Sequence, residues 1–303
     1  MRLLHFLTIK NRRLAAVLLI CFLFPFFSAC SSAPRRPDEI FFIRITAANQ
    51  LNLANHNASQ GRFVDALIIL EDAWRLVLST DDPELRINTT TSRANILFSL
   101  ERHEEAFSAW ETAIAEGEAS GLPVLAARAR IYSARARLVM LSHAYPQGGH
   151  GAEAQAEELR AQVLQNITAV RGDNHGTAAG NLTLAMAEKQ LGRWNEAEDA
   201  ARRALRIYER NRFLEDAAYS WFLIGSIRSL SGNYDSALAA LRTAISFDRR
   251  AENGFGLASS WHAMGDVYRN AGRIQESRYA HRRAAEIYRA IGLFDHAESL
   301  ENF

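Results

Sequence analysis

The chain has 303 residues, of which 48% are hydrophobic and 23% are charged, a balance that fits a globular protein and excludes a disordered one. Its formal net charge is +1, and removing the four cations of the first thirteen residues, which include no acid, leaves −3. A mildly acidic chain lacks the basic excess of nucleic-acid-binding proteins, so we expect no nucleic-acid partner.

The N-terminal segment has the layout of an export signal. Residues 1–13 carry Arg2, Lys10, Arg12 and Arg13, and residues 14–27 are apolar apart from Pro25. A basic region followed by about 7–15 apolar residues is typical of a secretory signal, whereas a membrane-spanning helix needs about 20. We therefore predict a signal peptide over residues 1–29.

The junction "FFSAC", residues 26–30, resembles the lipobox of bacterial lipoproteins, with Phe27 where that family prefers Leu. The resemblance implies cleavage before Cys30, palmitate-type acylation of its thiol, and anchoring to a bacterial membrane on its periplasmic or outer-membrane face. Several acyl chains are required, since one chain gives only marginal binding. The alternative is ordinary cleavage after residues 31–33 ("SSA"), which would leave an exported protein without an anchor.

The cysteine content fits this interpretation. Cys21 lies in the apolar stretch and would be removed with it, so Cys30 would be the only cysteine of the mature chain. The exported domain would then be held together by its core, without disulfides. Residues 30–39, small and charged with two prolines, predict a flexible tether.

Two segments near the end of the chain share one pattern. "WFLIGSIRSLSGNYDSALAALRTAI" begins at Trp221, and "WHAMGDVYRNAGRIQESRYAHRRAA" begins at Trp261. In both, the third residue after Trp is large and apolar, Gly follows, and a second helical segment carries small residues at fixed offsets. This pattern resembles the tetratricopeptide repeat (TPR), in a variant with about forty residues per unit.

A small residue recurs once per unit, where the two helices of a hairpin are expected to cross. The series is Ala54, Ala94, Ala134, Ala185, Gly225 and Gly265, with steps of 40 residues except for one of 51. The turn sequences "QGRF", "LGRW", "SGNY" and "AGRI" keep the same phase. The resemblance implies an all-α fold, a TPR-type α-solenoid built as a right-handed superhelix of helical hairpins.

The spacing predicts six hairpins within residues 40–303. They are expected near residues 47–80, 87–120, 127–171, 178–211, 218–251 and 258–291. The long step is assigned to an enlarged loop at residues 142–151, because one proline and three glycines there disfavour helix. Residues 293–302 are predicted to form a capping helix with Leu293, Phe294, Ala297 and Leu300 on one face.

The predicted loop contains His143 and His150, but no cysteine or carboxylate cluster accompanies them. Loop histidines of this kind are usually solvated, so we predict neither a metal site nor a cofactor. The familiar signatures of catalysis, such as the P-loop, G-x-S-x-G and H-E-x-x-H, do not occur in the sequence. We therefore expect a protein that is not an enzyme.

The first helices of TPR hairpins line a concave groove, and helical spacing selects the residues that face it. Asparagines there would suit the backbone of an extended peptide, and two arginines seven residues apart could fork a carboxylate. Leu182 and other apolar residues predict an apolar wall in the later hairpins. The predicted groove residues are Asn55, Asn95, Arg128, Arg135, Met186, Tyr219, Phe222, His262, Asp266 and Arg269.

Two functions follow from the resemblance. The first is a membrane-anchored scaffold of the cell envelope that binds other envelope proteins or their peptide segments, similar to TPR lipoproteins of β-barrel assembly, type IV pilus pilotins and adaptors of cell-wall hydrolases. The second is a transport accessory lipoprotein, similar to those of TRAP transporters, that handles a hydrophobic small ligand. A closed apolar tunnel would favour the second, and an open groove would favour the first.

Overall fold

The computed structural model describes residues 42–145 and 150–300, without the side chains of residues 150 and 151. All regular elements in these two ranges are helices. They are α1 (Phe42–Ser59), α2 (Phe63–Thr80), α3 (Pro83–Ser99), α4 (His103–Ala119), α5 (Pro123–Ala144), α6 (His150–Ala169), α7 (Asn174–Gln190), α8 (Trp194–Asn211), α9 (Leu214–Leu230), α10 (Tyr234–Ala251), α11 (Gly254–Asn270), α12 (Ile274–Ala290) and α13 (Phe294–Glu298).

Local sequence signals set the ends of these helices. Pro83 is the first residue of α3, and the Asp82 carboxylate before it accepts hydrogen bonds from the backbone N–H groups of Glu84 at 3.0 Å and Leu85 at 3.2 Å. Between α9 and α10, Gly232 has φ +81°, a backbone conformation that glycine adopts without strain. Helix α9 therefore ends, and the chain reverses direction and begins α10 within a few residues.

Within the described ranges, consecutive helices pair into six antiparallel hairpins, α1 with α2 through α11 with α12, and the all-α solenoid fold is confirmed. The small residue of each hairpin is buried where its helices cross. At Gly225 an added Cβ would lie 2.8 Å from Leu241 Cγ, so the helices approach too closely for a larger residue. The largest apolar cluster runs continuously from α5 to α10, as expected where each hairpin buries its core against its neighbours.

The third hairpin differs from the prediction made for its extra residues. We expected a loop over residues 142–151, but α5 continues to Ala144 and α6 already begins at His150. The two helices are 22 and 20 residues long, against 17 or 18 for the other hairpin helices, so much of the insertion lengthens the hairpin. Helix α5 stops before Tyr145 because Pro146 disfavours helical geometry in the residue that precedes it.

The first hairpin contacts the last one. The ring of Phe63, at the start of α2, meets that of Phe255 in α11 edge to face, with centroids 5.5 Å apart. Gly61 lies in the turn before α2, and a Cβ added there would be 3.0 Å from Ile291 Cδ1 and 3.3 Å from Leu293 Cδ1. Each end of the array therefore covers apolar surface of the other, which a solenoid otherwise has to cap.

A short helix follows the last hairpin. Ala297 and Leu300 are buried, and Leu293 packs against the same cluster. Phe294 was predicted on this face as well, but 60% of it is exposed, and that part of the prediction is wrong. Because α13 spans only Phe294–Glu298, its single turn buries one narrow edge.

The predicted signal, lipid-attachment and tether segments fall on residues 1–39, outside the described ranges. Among the described residues, no helix has both the length and the apolar character needed to cross a membrane.

Candidate protein-binding surface

The first helices of the hairpins form one side of the array, which we call the inner surface. These are α1, α3, α5, α7, α9 and α11, and α3 contacts α5, α5 contacts α7, and α9 contacts α11 directly. Elements that touch their counterparts in the next hairpin lie on the shorter, concave side of a curved stack. The inner surface therefore corresponds to the concave groove on which the binding residues were predicted.

Arg128 in α5 lies at the centre of a polar cluster on the inner surface. Its guanidinium donates to the side-chain oxygen of Asn88 in α3, and its Nη1 lies 3.4 Å from Asp173 Oδ2 at the start of α7. Asn88 and Arg128 occupy the same place in consecutive hairpins, forty residues apart. The cluster thus joins three hairpins and presents amide, guanidinium and carboxylate groups together.

Arg135 lies two turns further along α5 and has a different set of partners. Its Nε is 3.4 Å from Thr183 Oγ1 and its Nη2 is 3.5 Å from the Ala179 carbonyl oxygen, both in α7. The guanidinium carbon is 5.2 Å from the centre of the Tyr132 ring, a cation–π distance. These hydrogen bonds are at the long limit for N–H···O contacts, so the guanidinium retains donor capacity for a ligand.

A chain of three side chains joins α5, α7 and α9. Tyr132 Oη is 3.2 Å from His175 Nδ1, and His175 Nε2 is 3.2 Å from Asp216 Oδ2. Burial raises the pKa of Tyr132 to about 12. A protonated hydroxyl both donates and accepts hydrogen bonds, so it can pair with either tautomer of the imidazole. This network fixes the spacing of three neighbouring first helices.

The apolar part of the inner surface is narrower than predicted. The rings of Tyr219 and Phe222 in α9 are stacked, with centroids 5.8 Å apart and an interplanar angle of 14°. Met186 is 6% exposed, and its sulfur lies 3.8 Å from the Tyr219 hydroxyl. Leu182, expected in the wall, is completely buried in the core. The wall therefore consists mainly of the Tyr219–Phe222 pair.

The two predicted asparagines lie on the first two hairpins. Asn55 in α1 is exposed, and Asn95 in α3 is half-buried. Neither side-chain amide makes a hydrogen bond to another described residue, so both keep their donors and acceptors for a ligand.

The last predicted group belongs to α11. Arg269 donates to Asp266 Oδ1 at 2.7 Å, and His262 Nε2 lies 3.7 Å from Asp266 Oδ2. Burial lowers the pKa of His262. Burial opposes ionisation of Asp266, but His281, with its Nε2 at 3.3 Å, and the charges of His262 and Arg269 keep the pKa of this carboxyl below its usual value.

Sequence reasoning did not select several residues of these clusters, namely Asn88, Tyr132, Asp173, His175, Asp216 and His281. Two of them carry a readable signal, because His175 and Asp216 lie in the first turns of the consecutive first helices α7 and α9. Polar residues that begin neighbouring inner helices are brought side by side when the hairpins stack.

Comparison with known proteins agrees with the fold. The tetratricopeptide repeat family model matches residues 151–210 and 216–290. A Rap protein solved in complex with competence and sporulation factor superposes with a TM-score of 0.57 at 14% identity, covering 84% of this chain and 73% of that chain. No curated protein sequence matches the chain.

Two further structures show weaker similarity. BtubC from P. vanneervenii has a TM-score of 0.48 at 18% identity, covering 81% of this chain and 92% of its own. A tetratricopeptide repeat protein from Parabacteroides merdae has a TM-score of 0.48 at 15% identity, covering 83% of this chain and 84% of its own.

Proposed function

Because this chain is a tetratricopeptide repeat protein, we propose that it binds an extended segment of a protein partner along its inner surface. The observation that carries this proposal is the arrangement on α5 and α9. Arg128 and Arg135 offer guanidinium groups on α5, and the stacked rings of Tyr219 and Phe222 lie two first helices further on. A polypeptide with an acidic group and an apolar side chain would match both.

The physical argument rests on what an extended peptide requires. Its backbone amides lack partners on at least one side, and Asn55 and Asn95 can each donate and accept hydrogen bonds. Charge-assisted hydrogen bonds from an arginine to a carboxylate are stronger than neutral ones. An aromatic pair supplies a large apolar contact for one side chain of the ligand. The role proposed is recognition, without catalysis.

We further propose that the protein is exported and anchored by lipid at Cys30, so that its partners are other proteins of a bacterial cell envelope. Support comes from the basic and apolar residues that precede "SAC" and from the tether-like composition after it. Two acyl chains would hold the protein on the membrane stably. The flexible segment of about ten residues that follows Cys30 would leave the array free to reach a partner.

Site-specific photo-crosslinking tests the binding surface. A photoreactive phenylalanine analogue replaces Phe222, a conservative exchange at the aromatic pair. The matched control places the same analogue at Tyr279 on the second helix α12, which is 53% exposed. We expect a crosslinked envelope protein from position 222 and none from position 279. Crosslinks from position 279 alone would move the partner to the outer side and refute the proposed surface.

The alternative function, a transport accessory protein for a hydrophobic small ligand, keeps one supporting feature, the Tyr219–Phe222 stack. It is the weaker proposal because Leu182 and Met186 are buried in the protein and leave little apolar surface for a ligand. A small molecule retained through purification and released on denaturation, together with no crosslinked protein from position 222, would favour this alternative.

A further inference from the structure

One residue breaks the apolar pattern of the second helices. His281 in α12 lies sixteen residues after the small residue of its hairpin and is only 2% exposed. Burying an imidazole is costly unless its ring nitrogens have partners. The same position in four other hairpins is buried and apolar, occupied by Leu70, Trp110, Ala201 and Leu241.

The opposite helix is adapted to this histidine. A Cβ added to Gly265 would lie 2.1 Å from His281 Cδ2 and 2.2 Å from its Nε2, so even alanine would collide with the ring. The glycine therefore makes room for the imidazole at the crossing of α11 and α12. The ring is held at one place, with its Nε2 directed toward α11.

Two further ligand groups meet His281 there. His281 Nε2 is 3.3 Å from Asp266 Oδ1, and His262 Nε2 is 3.7 Å from Asp266 Oδ2. One nitrogen or oxygen from each of the three side chains lies within 4.8 Å of the others. Ligand atoms bound at 2.0–2.2 Å in a tetrahedral zinc site are separated by about 3.3 Å. The His281–Asp266 pair already has this separation, and the other atoms would have to move closer together on binding.

We propose that His262, Asp266 and His281 bind a divalent transition metal ion, of which zinc is the best match. Two imidazoles and one carboxylate suit zinc and related ions, whereas magnesium and calcium prefer oxygen ligands throughout. Three protein ligands leave a fourth position, which water or a ligand group takes in zinc sites of this kind.

The surroundings meet one other requirement of a metal site. Arg269 donates to Asp266 Oδ1 at 2.7 Å and so orients the carboxylate, as hydrogen bonds do for metal-binding carboxylates. The ion would cross-link α11 to α12 in the hairpin that contacts the first one.

The test uses the full chain without an affinity tag, stripped of metal with a chelator. Zn²⁺ is titrated in competition with a chromophoric chelator, and Co²⁺ replaces it for visible spectroscopy. We expect one equivalent to bind, the absorption bands of tetrahedral Co²⁺, and a rise in melting temperature with Zn²⁺. Replacing a ligand, as in Asp266→Asn, should weaken binding about 100-fold or more, since even changes around a site cost 10–100-fold.

The second variant is designed to fold. His281→Leu recreates the Gly225–Leu241 pair of the preceding hairpin, and we expect the same helical content with loss of the metal. His143→Gln, in the last turn of α5, is the control and should bind as wild type does. Absence of saturable binding in the wild type, or undiminished binding in either Asp266→Asn or His281→Leu, would overturn the proposal.

Discussion

The ring of Phe63 packs edge to face against the ring of Phe255, although 192 positions separate the two residues in the chain. This contact joins the first hairpin to the last, and Ile291 and Leu293 extend it to Gly61. In an open solenoid each repeat contacts only its neighbours, and the ends tend to unfold first. Contact between the ends removes that weakness.

We expect Phe63→Ala to lower the free energy of unfolding by about 3–5 kcal/mol, the range for a buried phenylalanine. Loss of the contact should also separate the ends of the array and increase its radius of gyration in small-angle X-ray scattering. The control is Phe294→Ala, because 60% of Phe294 is exposed. Equal stability and equal radii for wild type and Phe63→Ala would show that the ends do not meet in solution.

The helix crossing at Gly225 supplies a second prediction. An added Cβ would be 2.8 Å from Leu241 Cγ and 3.3 Å from the Ala237 carbonyl oxygen, so the backbone itself limits the space. Gly225→Leu should overpack the site and destabilise the protein by about 1–3 kcal/mol, as measured by chemical denaturation. Ala239→Leu places the same side chain on an exposed position of the neighbouring α10 and should change stability little. Equal denaturation midpoints for both variants would contradict the assigned crossing.

The sequence predicted the fold well because its repeat has a strict physical cause. A close helix crossing demands a small residue, so Ala185, Gly225 and Gly265 keep their phase and can be found by counting. The ends of α5 and α6 were missed because Ser142, His143 and Ala144 are compatible with helix, and only Pro146 stops it.

The binding surface was less predictable than the fold. Position in a repeat tells which side of a helix a residue faces, but not what lies opposite. Leu182 follows the groove spacing and is nevertheless buried in the core. His281 lies on a second helix, outside the first helices that line the groove. Contacts between hairpins, such as that of Tyr132 with His175, depend on superhelical curvature, which local spacing does not encode.

A buried carboxyl makes stability depend on pH. Burial raises the pKa of Asp248 from 3.8 to about 7, and hydrogen bonds from Ser260 and Asn253 only partly oppose this effect. The folded chain keeps a proton that the unfolded chain releases, so the free energy of unfolding should fall between about pH 4 and pH 7 and stay lower above. The difference in pKa corresponds to about 4 kcal/mol.

The variant Asp248→Asn keeps a side-chain oxygen that can accept the hydrogen bond from Asn253, but its amide cannot ionise. Compared with the wild type, it should be of similar stability near pH 4 and more stable at pH 8, as measured by urea unfolding across this range. Asp199→Asn changes an exposed carboxyl in α8 and is the matched control. Parallel stability profiles for wild type and Asp248→Asn would show that Asp248 is not buried as described.

The proposed anchor depends on one thiol. Cys30→Ala removes the acceptor of the acyl chains, so we expect no incorporation of a palmitate label and release of the protein from the membrane fraction. Cys21→Ala leaves that acceptor in place and should behave like the wild type. Labelling and membrane association that survive in Cys30→Ala would refute the lipid anchor. This result would not bear on the proposed binding surface.

Binding at the inner surface is tested most directly by binding measurements on matched variants. Arg135→Ala removes a guanidinium from α5, and Phe222→Ala removes one ring of the aromatic pair in α9. Arg202→Ala is the control on the second helix α8, where Arg202 pairs with Glu198. All three should retain wild-type helical content, because none of these side chains is fully buried.

The decisive measurement uses the partner protein that crosslinking identifies. It is titrated calorimetrically against the wild type and these three variants at low and high salt. We predict that both Arg135→Ala and Phe222→Ala bind the partner more weakly. For Arg135→Ala the loss should be about ten- to hundredfold, because a charge-assisted hydrogen bond contributes about 1.5–3 kcal/mol. Only the Arg135 effect should shrink strongly at high salt, and Arg202→Ala should bind as the wild type does. Equal losses in all three variants, or none in the two inner-surface variants, would contradict binding at the inner surface.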